Sequence, residues 1–462
     1  MAAATVILVI AVVVAATRGS APPPLPLPGT GTVPRAGDPF AYIPAREGDF
    51  VARATAGSAH VLFTKSPGGI LATAARVARL RKLIDAATAG TNIDPRILEG
   101  LVFVESAGRP DAIAGNDPVA ASGLTQILAQ TGQSLLGMHI DLARSRKLTA
   151  AIKRASSLGQ TATVTRLERQ RVRIDDRFDP AKALAGAVRY LEIARRDLGR
   201  ADLAVVSYHM GIGNLQQVLS DYDGGHAVPY VQLYFDTAPN SHGAAFRLLS
   251  GFGDDSSLYY WRVLGAEQAM LLYRQDRAAL SRLSSLQTAT DSAALVLHPP
   301  DRTASFATPE QLDYGYASRA VIPLPANATA LGLTYSPDMG SLARRLGVQP
   351  ALYRGLRPGA LDLLIELSAR VRALSGGATE LTVSSAVTDA RYQRLLGVSD
   401  HPAAAGWSFT IARRYARHAQ AESFQAMLDR LQALNLVAWQ RYPSEIEVTV
   451  ASDASRVIAG GA

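Results

Sequence analysis

A mainly α protein, helical through its first part and followed by a smaller α+β domain, is what three features of the 462-residue chain predict. The first is a capped helix at residues 94–106 whose apolar residues recur at three- and four-residue spacing. The second is a set of further helical stretches: 72–87, a basic hairpin at 144–177 and an amphipathic run at 264–286. The third is the succession helix 360–374, strand 380–384, helix 392–396 near the other end, which reads as α+β.

The chain starts with an uncharged run of sixteen residues, Ala2 to Thr17, rich in Val, Ile and Ala. That is short of the roughly 20 residues of a spanning helix and suits the apolar core of a signal peptide. A basic segment ahead of it is missing, and Gly19-Ser-Ala21 is a usable cleavage site. Residues 1–21 are therefore read as a signal peptide or an uncleaved membrane anchor, which implies an extracytoplasmic protein associated with a membrane through its N-terminus or secreted to the cell wall. Ala21-Pro-Pro-Pro-Leu-Pro-Leu-Pro28 is a stiff extended spacer, and residues 22–50 are read as a Pro-rich linker. With no cysteine in the chain there is no lipid-accepting thiol and no disulfide.

In the helix at 94–106, Asp94 is a good N-cap and Pro95 suits the first helical position, where its missing N–H costs nothing. Ile97, Leu98, Leu101 and Val102 form the apolar stripe, Glu105 continues it, and Gly108 and Pro110 stop it. Partial burial and the negative end of the helix dipole both push such an acid toward its neutral form, as a general acid requires. On the helix alone, Glu105 bending outward or pairing with Arg109 is the simpler reading.

Two later blocks change that. Ser122-Gly-Leu-Thr-Gln-Ile127 follows a polar loop, and Ala204-Val-Val-Ser-Tyr-His-Met-Gly-Ile-Gly-Asn214 lies further on. With Glu105-Ser106 these blocks, in this order, resemble the soluble lytic transglycosylase family, which pairs Glu-Ser at a helix end with Gly-Leu-Met-Gln-Ile and Ala-Tyr-Asn-Ala-Gly. Thr125 replaces Met in the second block; Ser207, His209 and Met210 depart in the third, where Tyr208 and Gly211 remain. Phe178-Asp-Pro180 followed by Ala185 to Leu191 is similar to the family's intervening helix. The resemblance implies a lysozyme-like helical catalytic domain, placed at 75–285, that acts on peptidoglycan glycan strands without a cofactor or metal. It implies that Glu105 protonates the bond between N-acetylmuramic acid and N-acetylglucosamine, then takes the proton of the sugar's own C6 hydroxyl to leave a 1,6-anhydro ring. Gln126 would bind sugar or acetamido groups, Gly123 would let the backbone approach the saccharide, and Tyr208 would orient Glu105 by a hydrogen bond. His209 would supply the donor that Asn supplies in the family, or alter the contact. Ser106 and Ser122 complete the substrate-binding set. Read without the resemblance, Gly123 and Gln126 are equally a helix cap with a surface glutamine, and Tyr208 and His209 equally a buried tyrosine and a satisfied histidine.

Net charge is +8 with only five lysines, which points to a high-GC genome and not to a nucleic-acid partner. The basic stretch Arg144 to Arg177 reads as a helical hairpin inserted at about 135–177, its charge available to anionic wall polymers or lipid; a solvated helix face is the plainer reading. Leu264, Leu271, Leu272, Leu280 and Leu283 predict one long amphipathic helix over 264–286, and proline- and glycine-bearing segments suggest a linker at 286–345.

The remaining α+β domain, 346–455, carries Ser399-Asp-His401, and is similar to the D-alanyl-D-alanine carboxypeptidase-like zinc peptidases. Two extra residues precede Gly406, Thr410 stands where an Asp ligand is expected and Glu447 near the place of a second histidine. A catalytic zinc takes three protein ligands, and His401 alone is convincing, so the domain reads as degenerate and metal-free.

Two alternatives stay open: a hydrolysing muramidase using Asp111 or Asp117 as second carboxylate, and a wall-binding scaffold without chemistry.

Overall fold

The structure, a computed structural model, describes residues 37–377 and 379–460. The chain divides into two compact units, one running essentially from residue 54 to 299 and the other from 300 to the C-terminus with two short N-terminal pieces. The predicted signal or anchor segment and most of the Pro-rich linker lie outside the described residues. Among the described residues, no helix is long and apolar enough to cross a membrane.

The first unit is helical. Asp94 caps the helix Pro95–Ser106 by accepting the Arg96 N–H at 2.8 Å, with Pro95 at its first position as predicted. From its buried face, Leu98, Val102 and Phe103 pack in a core with Ile70, Val77, Leu184 and Met270. Gly100 lets it approach the helix Tyr259–Gln275: a Cβ there would sit 2.6 Å from the Val263 carbonyl oxygen. Glu99 is buried beneath this contact and is neutralised by Arg274 and by Arg81 at 3.7 Å. Burying one carboxylate between two guanidinium groups is tolerable where burying it alone is not.

Two predicted helices are each divided. The stretch at 72–87 forms Ile70–Ala78 and Arg81–Thr88. The stretch at 264–286 forms Tyr259–Gln275 and Arg277–Gln287, because Asp276 leaves the helical region and caps the second by accepting the Ala279 N–H at 2.8 Å. In the first of these, burial falls on Tyr259, Trp261, Val263, Ala266 and Met270, while the predicted Leu264, Leu271 and Leu272 are only half-buried. The basic stretch is a hairpin of Leu142–Ser157 and Thr161–Val172. Its base is fixed by a buried Asp175–Arg177 pair at 2.7 Å, to which Ser145 Oγ also donates at 2.7 Å.

The second unit holds a five-stranded sheet in the spatial order Leu333–Tyr335, Leu381–Ser385, Ser408–Ala412, Glu445–Val450, Val437–Arg441. The first pair is parallel and the others antiparallel. Val383, Phe409, Ile411, Val448 and Val450 are buried from the sheet, and Leu364, Leu367, Phe424 and Leu428 from the helices Pro358–Leu374 and His418–Ala433. Residues 286–345, expected as a linker, carry the helices Ser292–Leu297 and Pro309–Ala317 and the strands Ile322–Pro323 and Leu333–Tyr335, so much of that stretch is ordered secondary structure. His401 Nε2 lies 2.9 Å from the Thr303 carbonyl oxygen, and Thr410 and Glu447 are cross-strand neighbours. Among the described residues no three metal-ligating side chains are gathered together.

Candidate active site

Glu105 sits on the last turn of Pro95–Ser106, where two events end the helix and open a cleft beyond it. Ala107 turns into the left-handed region at φ 54° and Gly108 follows at φ 72°. Arg76 Nε donates to the Ala107 carbonyl at 2.8 Å, which holds this end in place with a cation where the helix dipole is negative. The cleft is lined by Glu105 with Leu62, Lys65, Phe103, His209, Asp255, Tyr259 and Arg262.

The Glu105 carboxyl is largely buried, and its Oε1 accepts a hydrogen bond from the Tyr259 hydroxyl at 2.5 Å. Burial pushes its pKa from 4.5 up to about 7, and the Tyr259 hydrogen bond holds it back from rising further. Tyr259 is itself buried, and burial together with the Glu105 charge keeps its phenol protonated, so it can donate to the Glu105 carboxylate. This side chain is one of a stack: Tyr208 lies parallel to it with ring centres 6.4 Å apart, His209 is tilted at 5.3 Å, and Tyr190 meets Tyr208 edge-on at 5.0 Å.

The three sequence blocks converge, but not all of their side chains reach the cleft. Glu105 and His209 line it. Tyr208, expected to orient Glu105, donates instead to the Thr125 carbonyl at 2.8 Å, which ties the third block to the second; Tyr259 has the contact with the acid. His209 Nδ1 is 2.9 Å from Ser256 Oγ, and burial pushes the imidazole below its ordinary value, so it faces the cleft neutral near pH 7.

Gly123 is required by the packing of the chain on itself. Its φ is +79°, and a Cβ would fall 1.8 Å from the Arg177 carbonyl oxygen, so the close approach is to the chain's own backbone. Gln126, at φ 48°, spends its amide N–H groups on the carbonyls of Ala112 at 3.1 Å and Gly123 at 2.8 Å, shaping the loop. Ser122 is buried and donates to the Ala120 carbonyl at 3.0 Å; Ser106 is buried and donates to the Val102 carbonyl at 3.3 Å.

Neither carboxylate named as an alternative lines the cleft. Asp117 is exposed and accepts from Arg146 Nε at 2.8 Å, which keeps its pKa below the ordinary value, and Asp111 is exposed on the same loop. The cleft does contain a second carboxylate that sequence reading missed, Asp255, paired with Arg262 at 2.6 Å and held ionised by that contact. Asp255 and Tyr259 lie more than 145 residues after Glu105, in a segment without a motif. The one local signal is the aromatic run Tyr259-Tyr260-Trp261 just after two aspartates.

Two adjoining stretches of the first unit, residues 82–158 and 157–227, match the family model described as the transglycosylase SLT domain. No curated protein matches the chain. The matched stretches contain the Glu105 helix, the Gly123–Gln126 loop and the Tyr208–His209 helix end, and stop short of Asp255 and Tyr259. Residues 82–227 thus match the transglycosylase SLT domain, and the unit that holds them is lysozyme-like and mainly α.

Proposed function

We propose that the protein is a peptidoglycan lytic transglycosylase that cleaves the β-1,4 bond between N-acetylmuramic acid and N-acetylglucosamine and leaves a 1,6-anhydro end, with Glu105 as its acid and base. The observation that carries this reading is a carboxyl group held near pKa 7 at the wall of an open cleft, in a domain of this family. A neutral Glu105 donates its proton to the glycosidic oxygen as the C1–O bond breaks. The resulting carboxylate, still hydrogen-bonded by Tyr259, takes the proton of the C6 hydroxyl as O6 bonds to C1, and Glu105 returns to its starting state. No water is consumed and no second carboxylate is needed, because the attacking hydroxyl belongs to the same sugar. The neutral His209 suits a hydrogen-bonding role toward substrate, and Ser106, Ser122, Gly123, Gln126 and Tyr208 act by holding the loop and helix end that shape the cleft.

Such a substrate places the work outside the cytoplasm, with residues 1–21 as signal or anchor. The second unit, a carboxypeptidase-like fold without its metal site in our reading, would hold wall material.

One observation favours a second reading, hydrolysis to a reducing end: Asp255 is an ionised carboxylate in the same cleft as a protonated acid. Mass spectrometry of digested peptidoglycan separates the two. Anhydro-muropeptides support the lytic reading, and reducing ends that disappear in Asp255→Asn support the hydrolytic one. A digest in which purified protein releases nothing would leave a non-catalytic wall-binding scaffold.

A further inference from the structure

The hairpin Leu142–Ser157 and Thr161–Val172 carries more positive charge than its packing uses. Three cations are used in packing: Arg171 is buried over the Phe178 ring at 3.7 Å and donates to Thr149, while Arg146 and Lys153 reach back to Asp117 and Asn116, each at 2.8 Å. Those two cations tie the hairpin to the loop that follows the Glu105 helix. Six others point elsewhere. Arg144, Lys147 and Arg154 lie on one face of the first helix at i, i+3 and i+10, and Arg166, Arg169 and Arg173 recur at i, i+3 and i+7 along the second. All six are exposed, and none has an acidic side chain within ion-pair distance among the described residues. The only acids between 141 and 173 are Asp141 and Glu168. Like charges so spaced repel one another by a few tenths of a kcal/mol per pair, with no folding gain to offset it.

The two family matches meet at residues 157–158, the tip of this hairpin, so the boundary between them falls between its two charged helices. Two stripes spanning roughly 15 Å and 10 Å, at about 1.5 Å of rise per residue, are too long for a single small anion and fit a chain with a charge in every repeat. A membrane surface fits less well. Leu158 at the tip, 62 % exposed, is the one large apolar side chain the hairpin offers, and a single leucine adds too little burial to hold a domain on lipid. We propose that the hairpin is a docking arm for a linear polyanion with phosphodiester-like charge spacing, which would bring the cleft to wall material bearing such a polymer.

The test uses the full chain and fluorescently labelled poly(glycerol phosphate), with binding followed by anisotropy over a range of salt. Wild type should bind with an affinity that falls as salt rises. Arg166→Glu with Arg169→Glu and Arg173→Glu should weaken binding by at least about tenfold and lower the log–log salt slope by about one per cation removed. The corresponding triple change to Gln should fall between, and release of fragments from polymer-free peptidoglycan should stay at the wild-type rate in both, which also shows that the variants are folded. Binding unchanged in both triple variants would overturn the proposal. So would wild type that ignores the polymer yet binds phosphatidylglycerol vesicles, which would make the arm a membrane contact.

Discussion

Glu105 and His401 each enter as the one chemically suggestive residue of a motif, and the structure treats them in opposite ways. Around Glu105 burial leaves the carboxyl little solvation and a single phenol donates to it, so the carboxyl keeps a proton near neutral pH. Around His401 the partners are backbone: Nε2 meets the Thr303 carbonyl at 2.9 Å, and the neighbouring Asp400 caps the short helix by accepting the Ala403 N–H at 3.0 Å. The first site leaves its group unsatisfied enough to react, and the second has settled its group into the fold. A motif residue stays available for chemistry only where its surroundings do not complete its hydrogen bonds.

The sharpest way to break this comparison is to remove each group. Glu105→Gln should lower release of muropeptides by about 10²- to 10⁴-fold, the usual range for a general acid–base group, with the fold retained. His401→Ala should leave that rate unchanged. Equal losses in both variants, measured on purified peptidoglycan, would erase the distinction.

Next in size is Gly123→Ala. A side chain at φ +79° and 1.8 Å from a carbonyl oxygen forces the loop to move, so urea denaturation should show a loss of about 3 kcal/mol or more. A loss of binding to glycan at full stability would instead return Gly123 to contact with saccharide.

Tyr259→Phe should reduce kcat/KM by roughly tenfold, the scale of one hydrogen bond to a charged group. It should also move the alkaline limb of the pH profile upward, because the lost donor was stabilising the ionised acid. A Tyr259 that only filled space would leave the profile in place, and Tyr208→Phe, whose hydroxyl serves Thr125, should shift it little.

A separate effect falls on stability against pH. The folded-state pKa of Glu105 lies above its ordinary value, so its protonation stabilises the native state at low pH, and that contribution is lost as pH rises from about 4.5 through about 7. The variant Glu105→Gln should lack this slope in thermal melts across the same window.

Much of the first unit was legible because its signals are local. Asp94 and Pro95 start the acid helix where a cap and a missing N–H belong, and the chain leaves the helix at Ala107 and Gly108. The blocks at Gln126 and Tyr208 were legible as a family pattern, yet their roles were not: a hydrogen bond from Gln126 to Ala112 or from Tyr208 to Thr125 depends on how the chain folds back. Tyr259 was illegible for the same reason, since nothing near it in sequence says that Gly100 brings its helix against Glu105. The helix break at Asp276 could have been read, as aspartate favours a cap over a helix interior, but the leucine spacing on either side concealed it.

The central claim is that Glu105 holds its proton near neutral pH, and the direct measurement is its carboxyl stretch in the infrared difference between wild type and Glu105→Gln from pH 4 to 9. Half-loss of the protonated band near pH 7 is the result expected from the cleft. Half-loss near 4.5, the value of an ordinary glutamate, would contradict it.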